Sequence, residues 1–347
     1  MKKTRVLVVG TGGTASMADV GADGKPRYAM RYSAEDLVGM VRKIYTLRRF
    51  EIDCLELTKY KKDSVDYLPS EARDISRAIY EALDGHDTAI AIRGSDNFPY
   101  LCADSAFRAP AGTPAINTMA QIPANSKRVP SDVIDNIAHC FYFAEQQFLL
   151  DVAVLRDKIF LATRLEKRAS GRKQPYEEGN GSVIGCFGNE IRDNNKIMRN
   201  MCREKPTEAI LGRESCDSLA KIKLHEISMG SEPWEVESYM GKCDGLILSG
   251  YANWNVPHTK GNDFVPAIEK AVKNGLVVML RDKSYIDSTG SMPYVGANAA
   301  QQAGAILLPP MVPDAAKAKA SIMLALTHDL GEIEKGMRHD WAGEVLG

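Results

Sequence analysis

The 347-residue sequence lacks a long apolar run and has no large excess of charge of either sign. Its formal net charge is −1, with 44 Lys and Arg against 45 Asp and Glu. Proteins that bind DNA or RNA normally carry a basic patch, so we expect no nucleic-acid partner. No segment approaches the roughly 18 consecutive apolar residues that cross a bilayer, so we expect no membrane association.

Paired cysteines and clustered histidines are also missing. The seven cysteines are scattered without a C-x-x-C spacing, and the six histidines are equally dispersed. Odd, dispersed thiols are typical of a reducing compartment and not of a disulfide framework. The apolar run Val6–Val9 is too short for a signal-peptide core. We therefore expect a cytoplasmic protein with no metal site and no cofactor.

The first half of the sequence alternates short apolar runs with amphipathic segments. Strands are predicted over Arg5–Val9, Ile52–Leu57 and Thr88–Ile92. Helices are predicted between them, over Ala34–Arg48 and Ser70–Leu83. This order implies right-handed crossovers and a parallel sheet that is covered on both faces.

A second alternating block follows a polar segment and a hairpin strand predicted near Val183–Ile184. Its predicted strands and helices are, in chain order, Lys221–Ile227, Pro233–Met240, Gly245–Ser249, Phe264–Asn274, Leu276–Leu280, Ile306–Pro309 and Ala315–Leu330. The fold class is therefore predicted to be α/β, with two parallel-sheet domains. The boundaries expected are 1–202 for the larger N-terminal domain, 203–219 for a linker and 220–347 for the smaller C-terminal domain.

Three loops that carry hydroxyl groups follow the first three predicted strands. They are the segments from Gly10 to Ser16, from Thr58 to Asp66 and from Arg93 to Asn97. In a parallel α/β sheet, ligands bind outside the carboxyl ends of the strands. The sequence therefore predicts a functional site where these loops meet.

The glycine-rich first loop fits two chemistries. The pattern G-x-G-x-x-A from Gly10 also occurs in dinucleotide-binding folds. That function requires a helix directly after the loop and an acidic residue about 20 positions downstream. Here Ala18–Arg31 contains glycines and a proline and is predicted to be a loop, and Asp53 and Glu56 lie about twice that distance away. A nicotinamide enzyme is therefore disfavoured.

The second chemistry is nucleophilic catalysis by Thr14. Glycines around a threonine at a strand end leave its hydroxyl exposed, and neighbouring N–H groups can face a developing oxyanion. A threonine needs a nearby proton acceptor, and no histidine is placed to serve. Tyr28 in the following loop, or a lysine from elsewhere in the sequence, remains as the candidate.

The run of apolar residues into T-G-G-T, ending at Thr14, resembles the opening of the bacterial-type L-asparaginases and the related glutaminase-asparaginases. The resemblance extends over nearly the whole sequence. It implies that Thr14 is the nucleophile and that Tyr28 assists it, with Tyr32 as the alternative. The family's second loop, D-S-S/T-x-M-T-P-E, is matched loosely from Asp63. The resemblance implies that Asp63 and Ser64 bind the substrate, Ser64 at the α-carboxylate.

The third loop departs from the family pattern. Where the family has H-G-T-D-T, this sequence has R-G-S-D-N from Arg93 to Asn97. The resemblance implies that Asp96 binds the substrate's α-ammonium group. It also places Ser95 at the position of a second catalytic threonine, so the hydroxyl is kept but the methyl that stiffens the rotamer is lost.

A catalytic lysine is implied by the family's R-x-x-x-K segment. Lys173 is the residue expected in this role, and Arg172 and Lys167 are the alternatives. In the second domain, the segment beginning at Gly250 resembles the family's G-x-G-N-G-N-V-P. That match implies that Asn253 reaches the site of a neighbouring subunit, in a homodimer or homotetramer.

The function expected from the resemblance is hydrolysis of L-asparagine to L-aspartate and ammonia through a covalent acyl-enzyme. Two further alternatives stay open. One is an amidase subunit that supplies ammonia to a tRNA-bound substrate. The other, favoured by the departures in the third loop, is an altered relative that acts on another amide or only binds an amino acid.

Overall fold

The structure is a computed structural model that describes most of the 347 residues. The described residues are 3–21, 27–110, 114–127, 129–146, 148, 150–170, 175–176, 182–188, 191–193, 219–285 and 294–346. The chain divides into two compact units, Met1–Lys205 and Pro206–Gly347. The linker predicted over 203–219 lies, except for its last residue, outside the described residues.

The N-terminal unit is built on an eight-stranded sheet in the order β10-β9-β8-β7-β6-β5-β1-β4. The strands are β1 (Thr4–Gly10), β4 (Phe50–Glu56), β5 (Thr88–Ile92), β6 (Ala115–Thr118), β7 (Val152–Leu155), β8 (Lys158–Leu161), β9 (Val183–Phe187) and β10 (Ile191–Asp193). The strands from β4 to β7 in this order are parallel, and β8 to β10 continue the sheet in antiparallel pairs. A small hairpin, β2 (Met17–Asp19) with β3 (Tyr28–Met30), follows the first loop.

Four helices in the described residues accompany this sheet. They are α1 (Ala34–Arg42), α2 (Pro69–Glu81), α3 (Phe98–Arg108) and α4 (Val133–Ala144). Alternate residues of β1 point to opposite faces. Val6 and Val8 belong to one buried cluster with residues of α1 and α4, whereas Leu7 and Val9 belong to another with residues of α2 and α3. The sheet is therefore buried on both faces.

The C-terminal unit contains a four-stranded parallel sheet in the order β11-β12-β15-β16. Its strands are β11 (Ile222–Glu226), β12 (Gly245–Gly250), β15 (Val277–Asp282) and β16 (Ile306–Leu307), with a hairpin of β13 (His258–Thr259) and β14 (Asn262–Asp263). The helices described are α5 (Pro233–Glu237), α6 (Val265–Lys273), α7 (Val295–Gln302), α8 (Pro313–Leu326) and α9 (Leu330–Arg338). The predicted α/β class with two parallel-sheet units is confirmed.

Three predicted helices extend well beyond the observed ones at their C-terminal ends. The helix predicted over Pro233–Met240 ends at Glu237. The helix predicted over Ala34–Arg48 ends at Arg42. Tyr45 and Leu47 pack against the core from a turn, which imitates helical spacing in the sequence. The helix predicted over Ala315–Leu330 is two helices, because Thr327 is extended and the Asp329 side chain caps a new helix by accepting a bond from the Glu332 N–H. No helix in the described residues is long and apolar enough to cross a membrane.

Candidate active site

The first loop follows β1 and contains two threonines with different surroundings. Thr11 is fully buried, and its hydroxyl donates to the Ile92 carbonyl at 3.0 Å. Thr14 is partly exposed and begins a 3-10 turn, Thr14–Ser16. Gly12 and Gly13, which connect them, have φ of 96° and 72°, a region that favours glycine. The loop therefore holds Thr11 as part of the structure and presents Thr14.

Glycine contacts bring the three loops together. A Cβ atom on Gly13 would lie 2.1 Å from the Gly94 Cα, and one on Gly94 would lie 2.3 Å from the Ser64 Cβ. A Cβ on Gly12 would lie 2.7 Å from the Lys62 backbone N and O. The Gly13 N–H also donates to the Lys62 carbonyl at 3.0 Å, so it is not available to an oxyanion. The predicted meeting of the three loops is confirmed. The loops can approach this closely because glycines stand at the points of contact.

Ser64 in the second loop joins the third loop. It is 1% exposed, and its Oγ accepts a hydrogen bond from the Asp96 N–H at 3.1 Å. The Asn97 amide donates to the Ser64 carbonyl. Asp63 is partly buried and its carboxylate accepts from the Val65 N–H at 3.5 Å. The structure thus places both predicted substrate contacts at the junction, where Ser64 also fixes the backbone of Asp96.

Tyr67 is a site-forming residue that the sequence analysis missed. Its hydroxyl contacts the carbonyl of Thr11 and, at 2.6 Å, that of Tyr60. Burial raises the pKa of Tyr67 to about 12, so the phenol stays protonated at neutral pH and can donate. Tyr67 therefore ties the second loop to the first. A tyrosine between Asp66 and Leu68 carries no sequence signal for this role.

The basic group beside the third loop is Lys167. Its Nζ lies 2.7 Å from Asp96 Oδ1 and 3.3 Å from Ser95 Oγ. Ser95 is 5% exposed, whereas the side chain of Asp96 is 49% exposed. Lys173, the lysine expected here, and Arg172 lie outside the described residues. Of the three basic residues considered from the sequence, Lys167 is the one that the described structure brings to Ser95 and Asp96.

Arg93 begins the third loop and is completely buried. Its Nε donates to Asn117 Oδ1 at 2.7 Å, and its N–H donates to the Thr118 carbonyl at 2.8 Å. Within the described residues, Nη1 and Nη2 have no hydrogen-bond partner. The substitution that departs from the family pattern thus places a buried cation beneath the loop of Ser95 and Asp96.

The two tyrosines considered from the sequence both follow Thr14 along the chain, Tyr28 in β3 and Tyr32 just after it. Tyr28 is in β3, paired with Asp19, and is 55% exposed. No hydrogen bond between the described residues joins it to Thr14. Tyr32 is partly buried and packs against the core next to α1. The Tyr28 side chain is therefore accessible at the hairpin, whereas the Tyr32 side chain packs against the core.

Asn253 belongs to the C-terminal unit. It has φ of 52°, followed by Trp254 with φ of 58°. Its N–H donates to Asp282 Oδ2 at 2.7 Å, and the Trp254 indole donates to the Leu308 carbonyl at 2.8 Å. Left-handed backbone at two successive non-glycine residues is uncommon. These bonds hold the loop after β12 in that conformation.

The described residues offer no support for a metal or dinucleotide site. They contain no group of three or more His, Cys, Asp or Glu side chains placed to hold a metal ion. The first loop leads into the β2–β3 hairpin, where a dinucleotide-binding fold would begin a helix. The segment Ala18–Arg31, predicted to be a loop, contains most of β2 and all of β3 in its described residues.

Comparison with known proteins agrees with this geometry. Residues 5–199 match the family model described as "Asparaginase, N-terminal". The L-asparaginase of Thermococcus kodakarensis is 27% identical over 350 residues, covering 99% of each chain. A glutamyl-tRNA(Gln) amidotransferase subunit of Pyrococcus horikoshii is 24% identical over 353 residues, covering 98% of this chain and 76% of that protein. The solved structure of the thermostable L-asparaginase from Thermococcus kodakarensis superposes with a TM-score of 0.82 at 24% identity, covering 99% of this chain and all of that chain. The chain therefore belongs to the asparaginase family of amidohydrolases.

Proposed function

We propose that this chain hydrolyses L-asparagine to L-aspartate and ammonia, with Thr14 as the nucleophile. The observation that carries the proposal is the position of Lys167, within 3.3 Å of both Ser95 and Asp96. These residues lie on the loop whose Gly94 packs against Gly13, the neighbour of Thr14. The proposal combines the partly exposed Thr14 hydroxyl of the first loop with a serine–lysine–aspartate group at the adjoining third loop, since a hydroxyl nucleophile needs neighbouring groups that transfer its proton.

In the first half-reaction, the Thr14 oxygen attacks the carbon of the side-chain amide. Tyr28 at the hairpin assists as a relay, since its hydroxyl accepts the Thr14 proton while it donates its own proton to the departing nitrogen. The carbon–nitrogen bond breaks, ammonia leaves, and an ester joins the substrate to Thr14. Uncommitted backbone N–H groups of the first and third loops stabilise the oxyanion.

In the second half-reaction, water attacks the ester. We assign Lys167, and not Lys173, to this step. The proton of the attacking water passes through the hydrogen-bonded Ser95 and Lys167 side chains to the Thr14 oxygen, which leaves as its alcohol. Aspartate is released and the enzyme returns to its starting state.

Substrate recognition is proposed to come from the second and third loops. The half-exposed carboxylate of Asp96 attracts the α-ammonium group, which would compete with Lys167 for it. Ser64 is proposed to contact the substrate's α-carboxylate, Asp63 to contribute to substrate binding beside it, and Asn253 to reach the site of a second subunit. The proposed assembly is a homodimer or homotetramer, and the dispersed thiols favour a cytoplasmic location.

The similarity to an amidotransferase subunit favours a second candidate, release of ammonia from glutamine. The experiment is ammonia release from L-asparagine, L-glutamine and their D-forms by the purified protein. We expect L-asparagine to be hydrolysed fastest. Faster release from L-glutamine would favour the second candidate, and no release from any of the four would contradict both.

The two lysines can be separated by the same assay. We expect Lys167→Met to reduce ammonia release by about 10²-fold or more, because it removes the proposed partner of Ser95 in proton transfer. Lys173→Met should have a far smaller effect. A larger loss with Lys173→Met would return the catalytic role to Lys173.

A further inference from the structure

Tyr176 connects the two groups that the proposed mechanism brings together. It is 3% exposed, and its hydroxyl donates to the Ser95 carbonyl at 2.8 Å. Its backbone forms an antiparallel bridge with Lys167. One residue therefore bonds to the backbone of the loop that carries Ser95 and to the backbone that carries Lys167.

The surroundings of Tyr176 hold it in place. Its ring packs against Phe98, the fully buried first residue of α3, with centroids 5.5 Å apart. The neighbouring Pro175 carbonyl accepts bonds from the N–H groups of Arg168 at 2.8 Å and Ala169 at 3.1 Å. The segment beside Lys167 is thus tied to the segment of Tyr176, and the ring is fixed against the start of the helix that follows the third loop.

The attachment to Tyr176 restricts the position of Ser95. Serine lacks the β-methyl that restricts threonine to few rotamers, so its hydroxyl direction depends more on the surrounding structure. Its Oγ lies 3.3 Å from Lys167 Nζ, near the long end of hydrogen-bond distances. A small displacement of the Ser95 backbone would break this hydrogen bond.

We propose that Tyr176 is a positioning residue, whose hydroxyl fixes the Ser95 backbone so that the serine hydroxyl faces Lys167. The proposal rests on the proposed function, in which Ser95 and Lys167 activate water. Tyr176 does not act on the substrate itself. Its removal should therefore slow hydrolysis of the acyl-enzyme, which lowers kcat and KM by a similar factor and leaves kcat/KM nearly unchanged.

The first test is Tyr176→Phe, which deletes the hydroxyl and keeps the ring against Phe98. We expect kcat for ammonia release to fall about tenfold, with a similar fall in KM and nearly unchanged kcat/KM, since small misplacements of catalytic groups cost one to two orders of magnitude. The matched control is Tyr80→Phe, which also removes a buried hydroxyl, bonded to Asp151 at 2.7 Å. Equal kcat in Tyr176→Phe and wild type would overturn the proposal.

The second test repeats Tyr176→Phe in the Ser95→Thr background. A threonine restores the stiff rotamer, so we expect the loss from Tyr176→Phe to shrink to about twofold or less. A loss of the same factor in both backgrounds would show that Tyr176 does not act through the Ser95 side chain.

The third test does not depend on turnover. In crystal structures of the wild type, Tyr176→Phe and Tyr80→Phe, we expect Ser95 Oγ and Lys167 Nζ to move out of hydrogen-bond distance only in Tyr176→Phe. A Ser95–Lys167 hydrogen bond that survives in Tyr176→Phe would contradict the proposal, whatever the assay shows. If the wild type released no ammonia, the proposed function would fail, and the three crystal structures would still decide whether Tyr176 positions Ser95.

Discussion

The two units each contain a completely buried cation, and the two cations differ in how they are satisfied. Lys319 in α8 donates to the carbonyls of Met337 and His339 and to the carboxylate of Glu344, which is itself fully buried. Arg93 in the N-terminal unit bonds through Nε to Asn117, whereas Nη1 and Nη2 have no partner among the described residues. Lys319 uses all three of its N–H bonds, whereas Arg93 leaves most of its five without a partner among the described residues.

The difference separates a structural role from one connected with the site. The acceptors of Lys319 lie in α9 and the segment after it, so its network fastens the C-terminal end of the chain onto α8. Arg93 is adjacent to Gly94, which packs against Gly13 and Ser64. Buried groups that stay incompletely satisfied are rare and cluster where function requires them. We therefore expect loss of Lys319 to reduce stability and loss of Arg93 to reduce activity.

The largest effect on stability is expected for Lys319→Met. The change leaves Glu344 buried without its cation, and breaking a buried pair from one side costs about 3–5 kcal/mol of unfolding free energy. Urea unfolding followed by tryptophan fluorescence measures this, because the three tryptophans, Trp234, Trp254 and Trp341, all lie in the C-terminal unit. The folded variant should release ammonia at the wild-type rate.

A double variant sharpens this prediction. Replacing both partners, as in Lys319→Met with Glu344→Gln, removes the unpaired charge and should recover part of the lost stability. If Lys319→Met alone changed the unfolding free energy by less than about 1 kcal/mol, the ion pair would not hold the end of the chain.

The same substitution at Arg93 should reduce activity more than stability. Arg93→Met frees Asn117 Oδ1 but also removes two unpartnered nitrogens, so we expect a stability loss of only about 1 kcal/mol. Ammonia release should fall at least about tenfold, because the loop of Ser95 and Asp96 loses its anchor. Hydrogen exchange of β5 and β6 reports the local stability. Wild-type activity in Arg93→Met would contradict the expectation that Arg93 supports activity whereas Lys319 supports stability.

The smallest expected effect is a pH dependence within the Lys319 network. Burial, then the nearby charge of Glu344, raises the pKa of Asp340 to about 6. A raised carboxyl pKa stabilises the folded state at low pH, and this contribution is lost as pH rises from the usual Asp value through about 6. Glu344 has the opposite sign, because Lys319 lowers its pKa against the effect of burial.

Asp340→Asn isolates the Asp340 contribution. An amide keeps an oxygen for the Gly343 N–H, which Asp340 accepts at 2.8 Å, and it needs no deprotonation. Because Asp340 is partly exposed, we expect the variant to be more stable than wild type at pH 7 by about 1 kcal/mol, and equally stable near pH 4. Equal stability of the two proteins at both pH values would show that Asp340 does not titrate with the Lys319 network.

The parts of the site that the sequence predicted are those controlled by local chemistry. Glycines before Thr14 and hydroxyl residues after each strand indicate a loop cluster, and strand order brings the loops together. Lys167 was only an alternative to Lys173 in the sequence, because its contacts with Ser95 and Asp96 join residues that are 72 and 71 positions apart. Tyr176 gave no signal, since its role comes from a bond to a backbone carbonyl about 80 residues away.

The fold was predictable to a similar depth. Apolar runs located β1, β4, β5 and the strands of the second sheet within about two residues. Helix ends were less certain, because a turn can keep apolar residues on the core, as Tyr45 does. The two Arg93 nitrogens that have no partner in the described part of the chain likewise depend on tertiary packing, which no local pattern encodes.

Comparison of Thr14→Ala with Ser16→Ala tests the central claim most directly. Both residues belong to one 3-10 turn, and the Ser16 hydroxyl has no partner among the described residues, so Ser16→Ala is a matched loss of a hydroxyl. With L-asparagine as substrate, we predict that Thr14→Ala stays folded and loses ammonia release by about 10³-fold or more, whereas Ser16→Ala keeps it. Undiminished release by Thr14→Ala would contradict the assignment of Thr14 as the nucleophile.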